Sequence, residues 1–302
     1  MNLPEKVTMI EVGPRDGLQN EKKQVPTNAK IHFIKGLKEA GLKEMELTSF
    51  VSPKWVPQMS DAKEVIESCL DEDRNFVLAP NRKGIDRVYE TDVKHVAVFV
   101  GVSSAFNKKN INKTTEESME ELKPILAELK QKGYFVRACI STAFYCPYDG
   151  KVDPDDVLAL CTQFADYGVD ELSVADTVGM ANPQESYELF KRLNDELGDR
   201  LLLTAHFHDT RGMALANVFA CLQAGISRFD ASSGGLGGCP FAPGATGNVA
   251  TEDVVYMLHQ MGIETGIDLE KLLKAIQGIS GHVSRDIESK YYKLNNQTHS
   301  VS

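Results

Sequence analysis

The chain has 302 residues, 42% of them hydrophobic and 25% charged, and a formal net charge of −10. That length and balance suit a globular protein with a substantial core, and the acidic surplus argues against non-specific binding to nucleic acid or to an anionic membrane surface. No apolar run approaches the roughly 18 residues of a membrane-spanning helix. The start of the chain has neither a hydrophobic signal core nor an Arg-rich transit pattern, and the 6 cysteines are scattered without a C-x-x-C pair, which predicts reduced thiols and a cytoplasmic protein.

Short β-rich runs separated by amphipathic stretches are expected at 7–12, 44–49, 75–79, 93–102, 134–143, 171–175, 201–208 and 228–232. The first ends in Glu11-Val12-Gly13-Pro14-Arg15-Asp16-Gly17. A helix begins near Thr27 and stops at Gly41. The second run carries Glu46 among Met45, Leu47 and Thr48. A carboxylate buried at Glu11 or Glu46 needs a partner, and the fork of Arg15 suits both; a purely structural ion-pair cluster is the competing reading. Asp16 sits where a carboxylate can face an opening, or where an Asp simply forms a turn before Gly17. Proline at a first helical position marks helix starts at Asp153-Pro154 and Asn182-Pro183, and Gly133, Gly168, Gly198 and Gly225 mark helix ends. The sixth run ends in Asp176-Thr177.

The seventh run ends in His206-Phe207-His208. Strand side chains alternate faces, so the two imidazoles point the same way. With Asp16 they make a two-His, one-carboxylate set able to hold Mg²⁺, Mn²⁺, Zn²⁺ or Fe²⁺. The eighth run leads into a glycine-rich stretch, Gly234 to Asn248, in which Cys239 is a candidate for acid–base work; Cys69, Cys139, Cys146, Cys161 and Cys221 read as structural. A helix over 251–260 follows. A helical extension opens at Asp268 and continues to about Tyr292, with a frayed polar tail from Asn295.

Eight strand–helix units in about 230 residues predict a TIM (β/α)8 barrel with a C-terminal helical extension: one catalytic domain over 1–302, the barrel spanning about 7–260 and the extension about 261–302. An open doubly wound sheet competes, but the expected G-x-G-x-x-G after an early strand is missing.

Four segments carry a resemblance that covers nearly the whole chain: EVGPRDGLQNE at 11–21, TSFVSPKWVPQM at 48–59, HFHDT at 206–210, and the glycine-rich stretch 234–248. The R-D and H-x-H elements resemble a broad superfamily of metal-dependent barrel enzymes. The second and fourth segments resemble the 3-hydroxy-3-methylglutaryl-CoA lyase family specifically. The resemblance implies Mg²⁺- or Mn²⁺-dependent cleavage of this acyl-CoA to acetoacetate and acetyl-CoA, in leucine breakdown. It implies metal ligation by Asp16, His206, His208 and Asn248, and enolate stabilisation by Arg15. Proton transfer falls to Cys239 and His206, and Glu46 and Glu11 support metal and arginine. It implies substrate contact by Arg15, Gln19, Asn110, Asp176 and Thr177, with Lys108 and Lys109 near the coenzyme phosphates. The expected partners are the small acyl-CoA and further copies of the chain, a homodimer or higher oligomer, with no nucleic acid or membrane. Rival readings are a related lyase or a Claisen-condensing synthase of the same superfamily, a silent acyl-CoA-binding module, and an Fe²⁺ oxygenase suggested by the ligand set alone.

Overall fold

The computed structural model describes residues 3–238 and 247–298. Ten strands are described: β1 (Thr8–Glu11), β2 (Glu44–Ser49), β3 (Arg74–Leu78), β4 (His95–Gly101), β5 (Phe135–Ser141), β6 (Tyr145–Cys146), β7 (Gly150–Lys151), β8 (Glu171–Asp176), β9 (Leu202–Phe207) and β10 (Arg228–Ala231). All eight expected runs form strands. They close into a parallel barrel in the order β1-β10-β9-β8-β5-β4-β3-β2, the TIM architecture read from the strand–helix alternation. The antiparallel hairpin of β6 with β7 was not foreseen; each of its strands has two residues, too few for a period-two pattern to register.

Period-two alternation sorts the strand residues into two environments. The outward set, including Val96, Val98, Val136, Ile140, Leu172, Val174, Leu203, Phe207 and Phe229, packs beneath the surrounding helices and makes the main apolar core. The inward set is largely polar. Arg137, fully buried on β5, meets Glu171 across the β5–β8 register and Asp230 across the barrel. Thr204 donates to Glu171 at 2.5 Å. Such a packing is tolerable because each charge finds an opposite charge or a hydrogen bond.

The helices begin where local chemistry supports them. Asn182 accepts from the Glu185 amide, and the Glu185 side chain accepts in return from the Asn182 amide, closing a capping box ahead of Pro183–Leu197. Asp153 caps Pro154–Asp166. Of the five glycines expected at helix ends, Gly41, Gly133, Gly168 and Gly225 have positive φ, but Gly198 is right-handed at φ −60°. It sits under the Asn194 carbonyl, where an added Cβ would clash at 2.6 Å, so space rather than handedness selects it.

The C-terminal extension also differs from expectation. The helix opened by Asp268 stops at Ser280, residues 281–289 run irregularly, and a separate helix covers Lys290–Thr298, including part of the tail expected to fray. The irregular stretch carries the contacts. Ser284 donates through its amide and hydroxyl to Glu21, at 2.7 and 2.6 Å. Arg285 donates to the carbonyls of Gly235 and Gly237. Ser289 donates to Glu252, which also accepts from the Gly234 amide at 3.0 Å. The segment therefore ties the loop after β1 to the loop after β10. A continuous helix could not have aimed these three groups together.

Glu252 is fully buried with no cationic partner among its described hydrogen bonds, and burial pushes its pKa up from 4.5 to about 7. Its proton is lost near pH 4.5 in the unfolded chain but only near 7 in the folded one. Between those values the native state binds more protons, so stability falls as pH rises and the loss is complete above the folded pKa. Glu252→Gln should flatten that decline, as read from urea unfolding midpoints across the same pH window.

Candidate active site

The carboxyl-terminal rim of the barrel gathers side chains from three strand ends. β1 passes directly into a tight π-helical turn, Gly13–Gly17, which projects Arg15 and Asp16 over the barrel mouth. β9 delivers His206 and, one residue past its end, His208; their ring centroids lie 5.3 Å apart. Asn248 arrives from the far side of the glycine-rich stretch and is held beside His208 by an antiparallel backbone bridge. Asp16, His206 and His208 can each offer a ligand atom such that all three lie within 4.8 Å of one another.

Arg15 is gripped on two sides. Its Nε donates to Glu46 at 2.5 Å, its Nη2 reaches the same carboxylate, and its Nη1 donates to Asp16 at 2.7 Å. Gln19 also donates to Asp16 at 3.0 Å, and the Asn248 amide donates to the other Asp16 oxygen at 2.8 Å. Burial opposes charge on Asp16, but Arg15 and the two imidazoles outweigh it and hold the carboxyl below its ordinary value. Burial lowers the His208 pKa to about 4, with His206 adding to the effect, so His208 is neutral and able to give a lone pair. For His206 burial is again the largest influence and lowers the pKa, but its hydrogen bond to Asp230 and the Asp230 and Asp16 charges raise it overall.

The donor set fits a divalent cation. One carboxylate, two imidazoles and one amide oxygen make a mixed oxygen–nitrogen set suited to such an ion. Two of these groups have a buried polar atom with no hydrogen-bond partner: Nδ1 of His208 and Oδ1 of Asn248. Buried polar atoms without partners are uncommon and call for a reason; a cation between these side chains supplies one.

Glu11 stands apart from the arginine it was expected to meet. Glu11 lies on the outward parity of β1, in register with Ala231 rather than with inward-facing Asp230. It does not pair with Arg15. It accepts instead from the Gly13 amide, the Ser233 amide and hydroxyl, and Thr251, at 2.6–2.9 Å, and so stitches the turn after β1 to the start of the last barrel helix. Asn110 is exposed on the last turn of Ser104–Ile111, bonded to the Phe106 carbonyl; Lys108 and Lys109 share that exposed turn. Thr177 accepts from the Thr142 amide at 2.8 Å. Asp176 is close to His206. Burial raises its pKa to about 6 although the amides of Met180 and Ala181 bond it. Cys239 and Gly244 lie outside the described residues.

Other polar residues of the site were not anticipated. Asp230 bonds His206, Arg137 bonds Asp230, and Ser173 donates to Asp230 at 2.6 Å. Cys139, expected to be merely structural at a strand end, sits mid-strand on the inward face of β5 with Sγ 3.9 Å from Glu46; burial raises its pKa to about 12 and keeps it a thiol. The signal was present as parity: each of these residues alternates with apolar neighbours on its strand.

A closed parallel barrel with an acid–imidazole set and a clamped arginine at its carboxyl-terminal rim defines a metal-site barrel enzyme. The chain belongs to the HMGL-like family, whose model matches residues 6–279. It is 44% identical over 295 residues to the 3-hydroxy-3-isohexenylglutaryl-CoA/hydroxy-methylglutaryl-CoA lyase of Pseudomonas aeruginosa, covering 97% of this chain and 98% of that one. A crystal structure of hydroxymethylglutaryl-CoA lyase from the same organism superposes with a TM-score of 0.95 and 44% identity, over 99% of this chain and 100% of the other. A lyase from Acinetobacter baumannii in complex with coenzyme A and 3-methylmalate matches with a TM-score of 0.90 and 36% identity, over 97% and 96%.

Gly237 guards the proposed Asn248 ligand. Its φ is +121°, and a Cβ there would lie 2.6 Å from the Asn248 amide nitrogen. Gly235, also at positive φ (+62°), would place a Cβ no nearer than 3.6 Å to its surroundings. Gly237→Ala should therefore weaken Mn²⁺ binding several-fold. Gly235→Ala should lose stability, by about 1 kcal/mol for the left-handed backbone, yet keep Mn²⁺ affinity. Titration of both variants by calorimetry separates the two effects, and equal affinities would remove Asn248 from the ligand set.

Proposed function

We propose that the chain is a divalent-metal-dependent carbon–carbon lyase that cleaves 3-hydroxy-3-methylglutaryl-CoA to acetoacetate and acetyl-CoA. The observation that carries this reading is the Arg15–Asp16 pair on its turn facing His206 and His208. The near-full-length likeness to lyases of this substrate supports it. So does the coenzyme A complex of a relative, which motivates an acyl-CoA substrate.

The reaction removes a proton from a tertiary alcohol, breaks the bond between the alcohol carbon and the carbon beside the thioester, and leaves negative charge on a thioester enolate that must be reprotonated. Asp16, His206, His208 and Asn248 would hold Mg²⁺ or Mn²⁺, which when bound supplies a Lewis acid that acidifies and orients the alcohol. Arg15 answers the enolate charge. Its guanidinium is already fixed by Glu46 and Asp16, so little reorganisation is needed as the charge develops. Glu46 acts through Arg15 as a positioning residue. His206 is assigned a share in proton transfer on its sequence context. Cys239 is assigned the return of a proton to the enolate carbon on its sequence context. Asp176 is assigned to the acyl group, and Gln19 steadies Asp16. Asn110, with Lys108 and Lys109, is assigned to the outer part of the coenzyme.

Three measurements test this. Incubation with 3-hydroxy-3-methylglutaryl-CoA and Mg²⁺ should yield acetoacetate and acetyl-CoA in equal amounts; cleavage of only the isohexenyl analogue would move the substrate to that longer acyl chain, and no cleavage of either would reject the lyase. Chelation should abolish turnover and Mg²⁺ or Mn²⁺ should restore it, whereas full activity of the chelated protein would exclude metal dependence. Arg15→Gln should cut kcat by about 100-fold or more with little change in KM; a raised KM alone would make Arg15 a binding group.

A further inference from the structure

We infer that Asp230 is a positioning residue, held by Arg137 and Ser173, that fixes His206 with its proton on Nδ1 and its lone pair on Nε2. The inference deepens the proposed metal site, on which it rests for its functional meaning. Asp230 and His206 are register partners on the adjacent strands β10 and β9, so both face the barrel interior. The Asp230 Oδ2 lies 3.1 Å from Nδ1 of His206.

The direction of that hydrogen bond follows from the other partners of Asp230. Both its oxygens receive the Arg137 guanidinium, and Ser173 donates to Oδ2 at 2.6 Å. Asp230 is 3% exposed and Arg137 fully buried. A carboxylate paired with a buried guanidinium stays ionised, and an ionised carboxylate only accepts. Nδ1 of His206 must therefore carry the hydrogen. Nε2 is left as the nitrogen that a neutral His206 can offer beside Asp16 and His208. Outer partners of this kind commonly set the tautomer and ring angle of metal-binding imidazoles.

Arg137 extends the arrangement across the barrel. It bonds Glu171 at 3.2 Å, and its Nε lies 3.9 Å from the Glu46 carboxylate that grips Arg15. The same buried guanidinium therefore sets the electrostatics behind both the imidazole and the arginine of the site.

The test reads the tautomer directly. The full chain, metal-free and labelled with ¹⁵N-histidine, is studied by long-range ¹H–¹⁵N correlation at a pH where the imidazole is neutral, and His206 is assigned among the 7 histidines by the signal missing in His206→Gln. The Nδ1–H tautomer is expected; an Nε2–H tautomer in the wild-type protein would overturn the inference without any variant having to fold. Asp230→Asn can turn its amide N–H toward Nδ1, and should shift His206 to the Nε2–H form and weaken Mn²⁺ binding by about 10- to 100-fold. Unchanged tautomer and Mn²⁺ affinity in a folded Asp230→Asn protein would also overturn it. Ser173→Ala, which keeps both charges, should retain the wild-type tautomer. A wild-type protein with the Nδ1–H tautomer but no Mn²⁺ affinity would refute the metal reading while leaving the role of Asp230 in place.

Discussion

Two buried guanidiniums share the Glu46 carboxylate, and the polar interior is organised around that sharing. On one side Glu46 grips Arg15, which reaches Asp16; on the other it faces Arg137, which reaches Glu171 and Asp230, and Asp230 reaches His206. The chain of alternating charges runs from one member of the proposed metal set to another through the barrel interior. Removing one member leaves an uncompensated buried charge, which typically costs about 3–5 kcal/mol. Such a network is a poor source of stability for the space it takes, since apolar residues of similar volume would fold the barrel as well. What it provides is fixed direction for groups at the rim.

A second, separate set of contacts holds the loops that carry those groups. Glu11 gathers the turn after β1, the start of the glycine-rich stretch and Thr251 into one cluster of hydrogen bonds. Glu252, itself held by Ser289, accepts from the Gly234 amide, and Arg285 donates to the carbonyls of Gly235 and Gly237. These residues act on the site through loop amides, carbonyls and hydroxyls. Their effect is to set where Asn248 and Asp16 stand, which the rim strands alone cannot do because both residues lie beyond strand ends. The irregular segment 281–289 is thus a brace on the active-site face.

The family likeness and the geometry speak to different things. The likeness gives the chemistry class, because 44% identity spans 97% of this chain and 98% of the relative. The geometry gives reasons. Arg15 holds one orientation because both its sides are already engaged, by Glu46 and Asp16. His208 is a lone-pair donor because burial keeps it neutral. The orphaned oxygen of Asn248 marks the open side of the set.

Much was legible in the sequence. All eight barrel strands, the capped helix starts at Asp153 and Asn182, and the shared face of His206 and His208 follow from local rules: alternation, capping chemistry and the fixed spacing of H-x-H. What needed the tertiary structure was every relation between strands. Glu11 and Glu46 look alike in sequence, each a carboxylate in an apolar run, yet they take opposite faces, because barrel closure decides which parity points inward. That assigned Arg15 to Glu46 and Glu11 to hydroxyls and amides. The break of the last helix at Ser280 is set by contacts to Glu21, Gly235 and Glu252, none of them local. Asp230 and Arg137 are 93 residues apart, and only the closed barrel sets them within reach of one another. A strand's sequence fixes which residues share a face; only its neighbours decide what that face meets.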